Sequence, residues 1–211
     1  TPVAAIQSPK RHRFRSERSR RVGLCGDGSD NDSIVNFQMP ERSDRRYWLL
    51  KSEPDCFSFD DLLARPDSTT YWSGVRNYQA RNFLRDDMKK GDGVLFYHSG
   101  AAPAGIVGTA DIVRSGYPDF TAWDSSDEHY DPKSSESNPI WYMVDVRAGK
   151  RFRQFLDLPG LRHVRELESM ELLLIGSRLS VQPVRPEEWK AILRIGGEAP
   201  RSRGARRAAT R

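Results

Sequence analysis

Six short apolar runs, none much longer than a single strand, limit this chain more than any other feature. They fall at residues 47–51, 94–97, 105–113, 141–146, 151–155 and 180–184, and most carry β-branched or aromatic side chains. Only short helical patterns lie between them, so strands and helices do not alternate as they do in βαβ units. That arrangement predicts an α+β domain, a small and mostly antiparallel β pseudo-barrel flanked by short helices.

The helices can be placed by their ends. Residues 58–64 read as one, with Ser58 as N-cap and Asp60 and Asp61 in the favourable first turn. A second spans 77–86, capped by Asn77, with Ala80, Phe83 and Leu84 as its apolar stripe. Another is expected within 161–174. A closing helix starts at Pro186, suited to the first helical position, with Trp189, Ile192 and Leu193 facing inward. Lys89-Lys90-Gly91-Asp92-Gly93 is a turn into the second strand, and 114–139 is a loop too long to be a mere connector.

The positive charge sits at the ends of the chain. Residues 1–46 hold ten Lys/Arg against six Asp/Glu, and 198–211 hold five arginines against Glu198. Residues 47–197 hold nineteen basic against twenty-two acidic residues, a net of −3 within an overall +5. Residues 1–45 and 196–211 are polar and aperiodic and read as disordered basic tails around a domain at 46–195. A domain without excess positive charge is a poor generic phosphate binder, so whatever it recognises must be held by shape, stacking and hydrogen bonds. The tails could add salt-sensitive anchoring.

Other classes drop out on motif grounds. There is no run of about eighteen apolar residues, so no membrane span is expected, and no apolar secretory core near the first residues. The two cysteines, Cys25 and Cys56, argue against a structural disulfide and for a reducing compartment, the cytoplasm, or the nucleus of a eukaryote. No glycine-rich phosphate loop, nucleophile elbow or metal-ligand spacing is present, so no cofactor and no metal is expected. The oligomeric state leaves no signal.

What remains is a set of polar and aromatic residues at predicted strand ends: Lys51, Ser52, Trp72, Ser73, Asn77, Tyr97, His98, Ser99, Trp123, Tyr130, Arg178 and Ser180. Tryptophan beside small hydrogen-bonding groups is a common way of holding a nucleobase. The segments Tyr47-Trp48-Leu49-Leu50-Lys51-Ser52-Glu53-Pro54, Trp72-Ser73-Gly74-Val75-Arg76-Asn77-Tyr78-Gln79-Ala80, Tyr97-His98-Ser99, Tyr130-Asp131-Pro132-Lys133 and Arg178-Leu179-Ser180-Val181-Gln182-Pro183-Val184 resemble, in order, the motifs of the EVE domain. The resemblance covers about 46–195. It implies a PUA-like pseudo-barrel and kinship with YTH domains, which hold a methylated adenine in an aromatic cage. It also implies a reader of modified bases, modified cytosines in DNA among them.

On that resemblance the lysine–serine pair at 51–52 and the tryptophan–serine pair at 72–73 belong to one cage. Trp72 forms one wall, and the second wall is Tyr97, Trp123 or Tyr130. The expected function is non-catalytic binding of a modified, methylated nucleobase in DNA or RNA, with Ser52 and Asn77 bonding the base edge and Arg178 meeting a phosphate. Trp72→Ala is then expected to abolish binding with the fold intact. Two other readings stand beside it: an enzyme acting on a nucleotide or RNA through Lys51, Glu53 and His98, and a protein-interaction module working through its tails. Each site residue also has a plain structural role open to it. Asn77 could simply cap a helix, and Trp48, Trp141 and Trp189 fit the core.

Overall fold

The computed structural model describes residues 44–197, so the expected tails at 1–45 and 196–211 fall almost entirely outside the described residues. Six strands form one sheet: β1 (Tyr47–Ser52), β2 (Thr69–Trp72), β3 (Gly93–His98), β4 (Gly105–Pro118), β5 (Tyr142–Asp157) and β6 (Val181–Val184). Their order is β2-β5-β4-β3-β1-β6. β1 runs parallel to β3, and the other four pairings are antiparallel. The sheet is open, but it curls. Trp72 on one edge strand and Val181 on the other belong to the same buried cluster, so the edges turn toward each other around a shared interior.

Strand alternation divides the core in two. Trp48, Leu50, Val94 and Phe96 face the interior with Trp72 and Phe57. Leu49, Leu95 and Tyr97 face outward, against Leu161, Leu167 and helix α4 (Pro186–Gly196). There Trp189 stacks on Tyr47 at 4.5 Å between ring centroids. Trp48, also core, donates its indole N–H to buried Asp92 at 3.1 Å.

The caps stand where the sequence predicts them. Helix α1 (Phe59–Ala64) begins with a reciprocal capping box: Ser58 Oγ accepts from the Asp61 N–H and the Asp61 carboxylate accepts from the Ser58 N–H. Helix α2 (Tyr78–Asn82) is capped by Asn77 and runs into a wider π-type turn at Phe83–Asp87. Pro186 opens α4.

Three expectations are corrected. Residues 69–72 form the edge strand β2, absent from the six predicted runs because four residues are too short to declare a strand, and Trp72 is its last residue. The runs at 141–146 and 151–155 are one 16-residue strand, β5, and β4 extends to Pro118, so its last residues claim the start of the expected loop. Register shifts along β4/β5 let both strands bend and stay paired. The helix expected within 161–174 is instead α3 (Leu158–Leu161) and two 3-10 turns, Arg165–Leu167 and Glu171–Leu173. The apolar residues there, Leu161, Val164, Leu167, Met170 and Leu173, recur every three positions, which aligns one face of a 3-10 turn and drifts around an α-helix.

Candidate nucleic-acid site

The predicted residues divide between the two faces of the sheet. Ser52 and His98 extend the inward alternation of β1 and β3. Ser52 is fully buried and donates Oγ to the Phe57 carbonyl at 2.7 Å, which closes the turn after β1. His98 packs edge-on to Phe96, and its Nε2 accepts from the Phe59 N–H at 3.1 Å, so the neutral ring carries its proton on Nδ1. Burial first, and then Arg151, push the His98 pKa below the ordinary imidazole value, against a smaller opposing pull from Asp60.

Lys51 and Tyr97, neighbours in the β1/β3 register, face the other way. The Lys51 amine lies 5.9 Å from the centre of the Tyr97 ring. Burial lowers the Lys51 pKa, with Glu171 opposing, and burial raises that of Tyr97. Lys51, Glu53 and His98 therefore do not converge on one reacting centre, because the lysine and the histidine project to opposite sides. The lysine–serine pair is likewise not one surface.

Trp72 is 0% exposed, edge-on to Phe96 at 5.5 Å between centroids. This corrects the expectation that its truncation would spare the fold. Its indole N–H is buried without a hydrogen-bond partner, as is Ser99 Oγ. Ser73 beside it is buried too. Gly74 then turns the chain with φ +78°, a left-handed conformation that a side chain would strain. Its N–H donates to the Asp119 carboxylate at 3.1 Å.

Asp119 anchors the site, and sequence reasoning missed it. Fully buried, it also accepts from the Thr121 N–H and hydroxyl and from Arg76 Nη1 at 2.8 Å. The Arg76 guanidinium continues to the His129 carbonyl through Nε and Nη2 at 2.8 and 2.6 Å. It also lies 5.4 Å from the Trp141 ring. Trp141 in turn donates to Asp131 at 2.7 Å and stacks on Tyr78. One arginine thus clamps the 73–77 turn to the 119–131 loop. The one signal in the sequence is Asp119 two residues before Thr121, the spacing of a side-chain cap. Nothing in it joins Arg76 to a residue 43 positions away.

The remaining predicted residues lie around this clamp or apart from it. Asn77 is exposed and caps α2 through Oδ1 to the Ala80 N–H at 3.0 Å. Trp123 ends the 3-10 turn Phe120–Trp123, half-buried. Tyr130, 44% exposed, is the freest aromatic of the three candidate second walls. The carboxylate of Glu128, in the same loop, acts on the Cys56 thiol behind burial and Glu53, so the 53–57 turn approaches this loop. Ser99 donates its N–H to Ser52 O, and Ser180 O accepts the Lys51 N–H, both at 2.9 Å. Arg178 is exposed on the loop before β6.

Among the described residues, no group of three or more His, Cys, Asp or Glu side chains could hold a metal ion. Among them, too, no helix is long and apolar enough to cross a membrane.

A family model of the EVE domain matches residues 46–195. Thymocyte nuclear protein 1 of Rattus norvegicus is 40% identical over 205 residues, which span 89% of this chain and 90% of that protein. The crystal structure of human THYN1 protein in complex with 5-methylcytosine-containing DNA is similar at 41% identity and TM-score 0.68, over 74% of this chain and 99% of that one. A hypothetical protein from Leishmania major is similar at 48% identity and TM-score 0.68, over 72% and 95% of the two chains.

Proposed function

The chain belongs to the EVE domain family, and from that premise we propose that it binds DNA carrying a methylated cytosine, without catalysis, by taking the base into the clamped loop site. The observation that carries this reading is the human THYN1 structure with 5-methylcytosine-containing DNA, which matches 74% of this chain at 41% identity. The divergent placement of Lys51 and His98 supports binding over acid–base chemistry.

A base entering the site leaves its stack, which costs a few kcal/mol in a duplex. Stacking on Tyr130 returns about 1–3 kcal/mol. The unpartnered Trp72 indole N–H supports a donor role toward the base edge, because a buried donor left unmade costs about 1–3 kcal/mol. Trp72 then contributes its N–H more than its ring face. Ser73 and Asn77 line the same turn. Arg178 and Ser180, on the loop before β6, suit a phosphate contact better than a base contact, whereas Lys51 and Tyr97 are buried on the outer face of the sheet. The site is fixed by the Arg76–Asp119 clamp and selects by shape, consistent with a domain that has no positive excess.

The test is a fluorescence-anisotropy titration of the 211-residue chain against matched duplexes differing in one 5-methyl group. Tighter binding to the methylated duplex, weakened roughly tenfold or more by Tyr130→Ala, is expected. Equal affinity for the two duplexes would sink the reading.

A further inference from the structure

The loop between the last 3-10 turn and β6 presents the two most exposed large aliphatic side chains among the described residues, Leu174 at 52% and Ile175 at 99%. Scattered exposed aliphatics need no explanation. These two adjoin each other on a tip whose foot is fastened. Gly176, at φ +84°, turns the chain. Gln182, buried in β6, donates Nε2 to Ser177 Oγ at 2.8 Å and to the Leu179 carbonyl at 3.1 Å. The Ser180 carbonyl accepts the Lys51 N–H, which ties the loop to the end of β1 one residue before Ser52. Exposed Arg178 stands three residues after the tip. An apolar tip and an exposed cation thus stand on one loop whose base is tied to the end of β1.

A base drawn out of a duplex leaves a gap in the stack, and proteins that deform DNA fill such gaps with aliphatic or aromatic wedges. We propose that Ile175, backed by Leu174, is the wedge that enters the gap left by the extruded base, with Arg178 against an adjacent phosphate. The inference rests on the base-extrusion reading above and adds the element that makes extrusion from a duplex affordable. It also separates the recognition of the base, inside the clamped loops, from the opening of the duplex, at the β6 loop.

Ile175→Ser tests it cleanly, since a side chain that packs against nothing has no core contact to lose. The full chain and the variant are titrated against a duplex bearing one 5-methylcytosine and against the methylated strand alone. The variant should lose roughly tenfold or more on the duplex, the worth of a buried isoleucine, and stay within about twofold on the single strand, where no stack is broken. Ile175→Phe should keep duplex affinity. Unchanged duplex binding by Ile175→Ser overturns the wedge, and so does an equal loss on duplex and single strand. If the unaltered chain shows no preference for the methylated duplex, the underlying reading fails as well. If it does and the variant matches it, the wedge alone fails.

Discussion

Removing the Arg76 guanidinium tests the clamp on which the site depends. Asp119 is wholly buried and takes four donors: the Gly74 N–H, the Thr121 N–H and hydroxyl, and Arg76. Arg76→Ala strands that carboxylate in a dry site and frees the His129 carbonyl from two further bonds. Breaking a buried ion pair from one side costs about 3–5 kcal/mol. Three remaining donors and the partial exposure of Arg76 put the cost at the lower end, about 3 kcal/mol, a large share of the ~5–15 kcal/mol that holds a domain together. In urea, followed by tryptophan fluorescence, a slope of about 2 kcal/mol/M converts that loss to a midpoint lower by roughly 1.5 M. The melting temperature should fall by roughly 6–12 °C. Arg76→Ala combined with Asp119→Asn removes the stranded charge and should recover about 1 kcal/mol or more. A midpoint shift under about 0.3 M for Arg76→Ala, or a double variant no more stable than the single one, would show that the Arg76–Asp119 pair does not hold these loops together.

Other outcomes follow from the same geometry. Trp72→Ala should destabilise the fold by about 3–5 kcal/mol through the cavity it opens, whereas Trp72→Phe, which keeps most of the ring and loses the N–H, should weaken DNA binding with a smaller change in melting. His98 titrates below the unfolded value because burial and Arg151 disfavour its charge, so the unfolded chain binds the extra proton first. Its contribution to stability is therefore present above the unfolded pKa and lost as pH falls below it; urea midpoints across that range should slope less in His98→Gln. Deleting residues 1–43 and 198–211 should lower affinity for methylated and unmethylated duplexes alike, flatten the salt dependence and leave their ratio intact, as titrations at several salt concentrations would reveal.

Local chemistry made much of this fold legible. Ser58, Asn77 and Pro186 mark helix starts because side-chain caps and a missing N–H act within a few residues. Trp48 and Trp189 read as core from their apolar surroundings. Strand β2 was not legible, since four residues give alternation too little room, and its place at the sheet edge is fixed by pairing with β5. The period-three spacing from Leu161 to Leu173 looks helical at a glance and builds 3-10 turns.

The site was readable as a neighbourhood more than as a geometry. Adjacent strand residues face opposite sides, so Lys51 with Ser52, and Tyr97 with His98, could never line one wall together. The Arg76–Asp119 clamp joins segments that only the pairing of β2 and β4 with β5 brings together, and no local pattern announces it.

The proposal is that shape, not charge, selects the ligand. Its most direct test is the ratio of dissociation constants for unmethylated and 5-methylcytosine duplexes, measured for the full chain as salt is raised. Both affinities should fall as phosphate contacts are screened, while the ratio stays above one and nearly constant. A ratio that declines to one with rising salt would contradict the account.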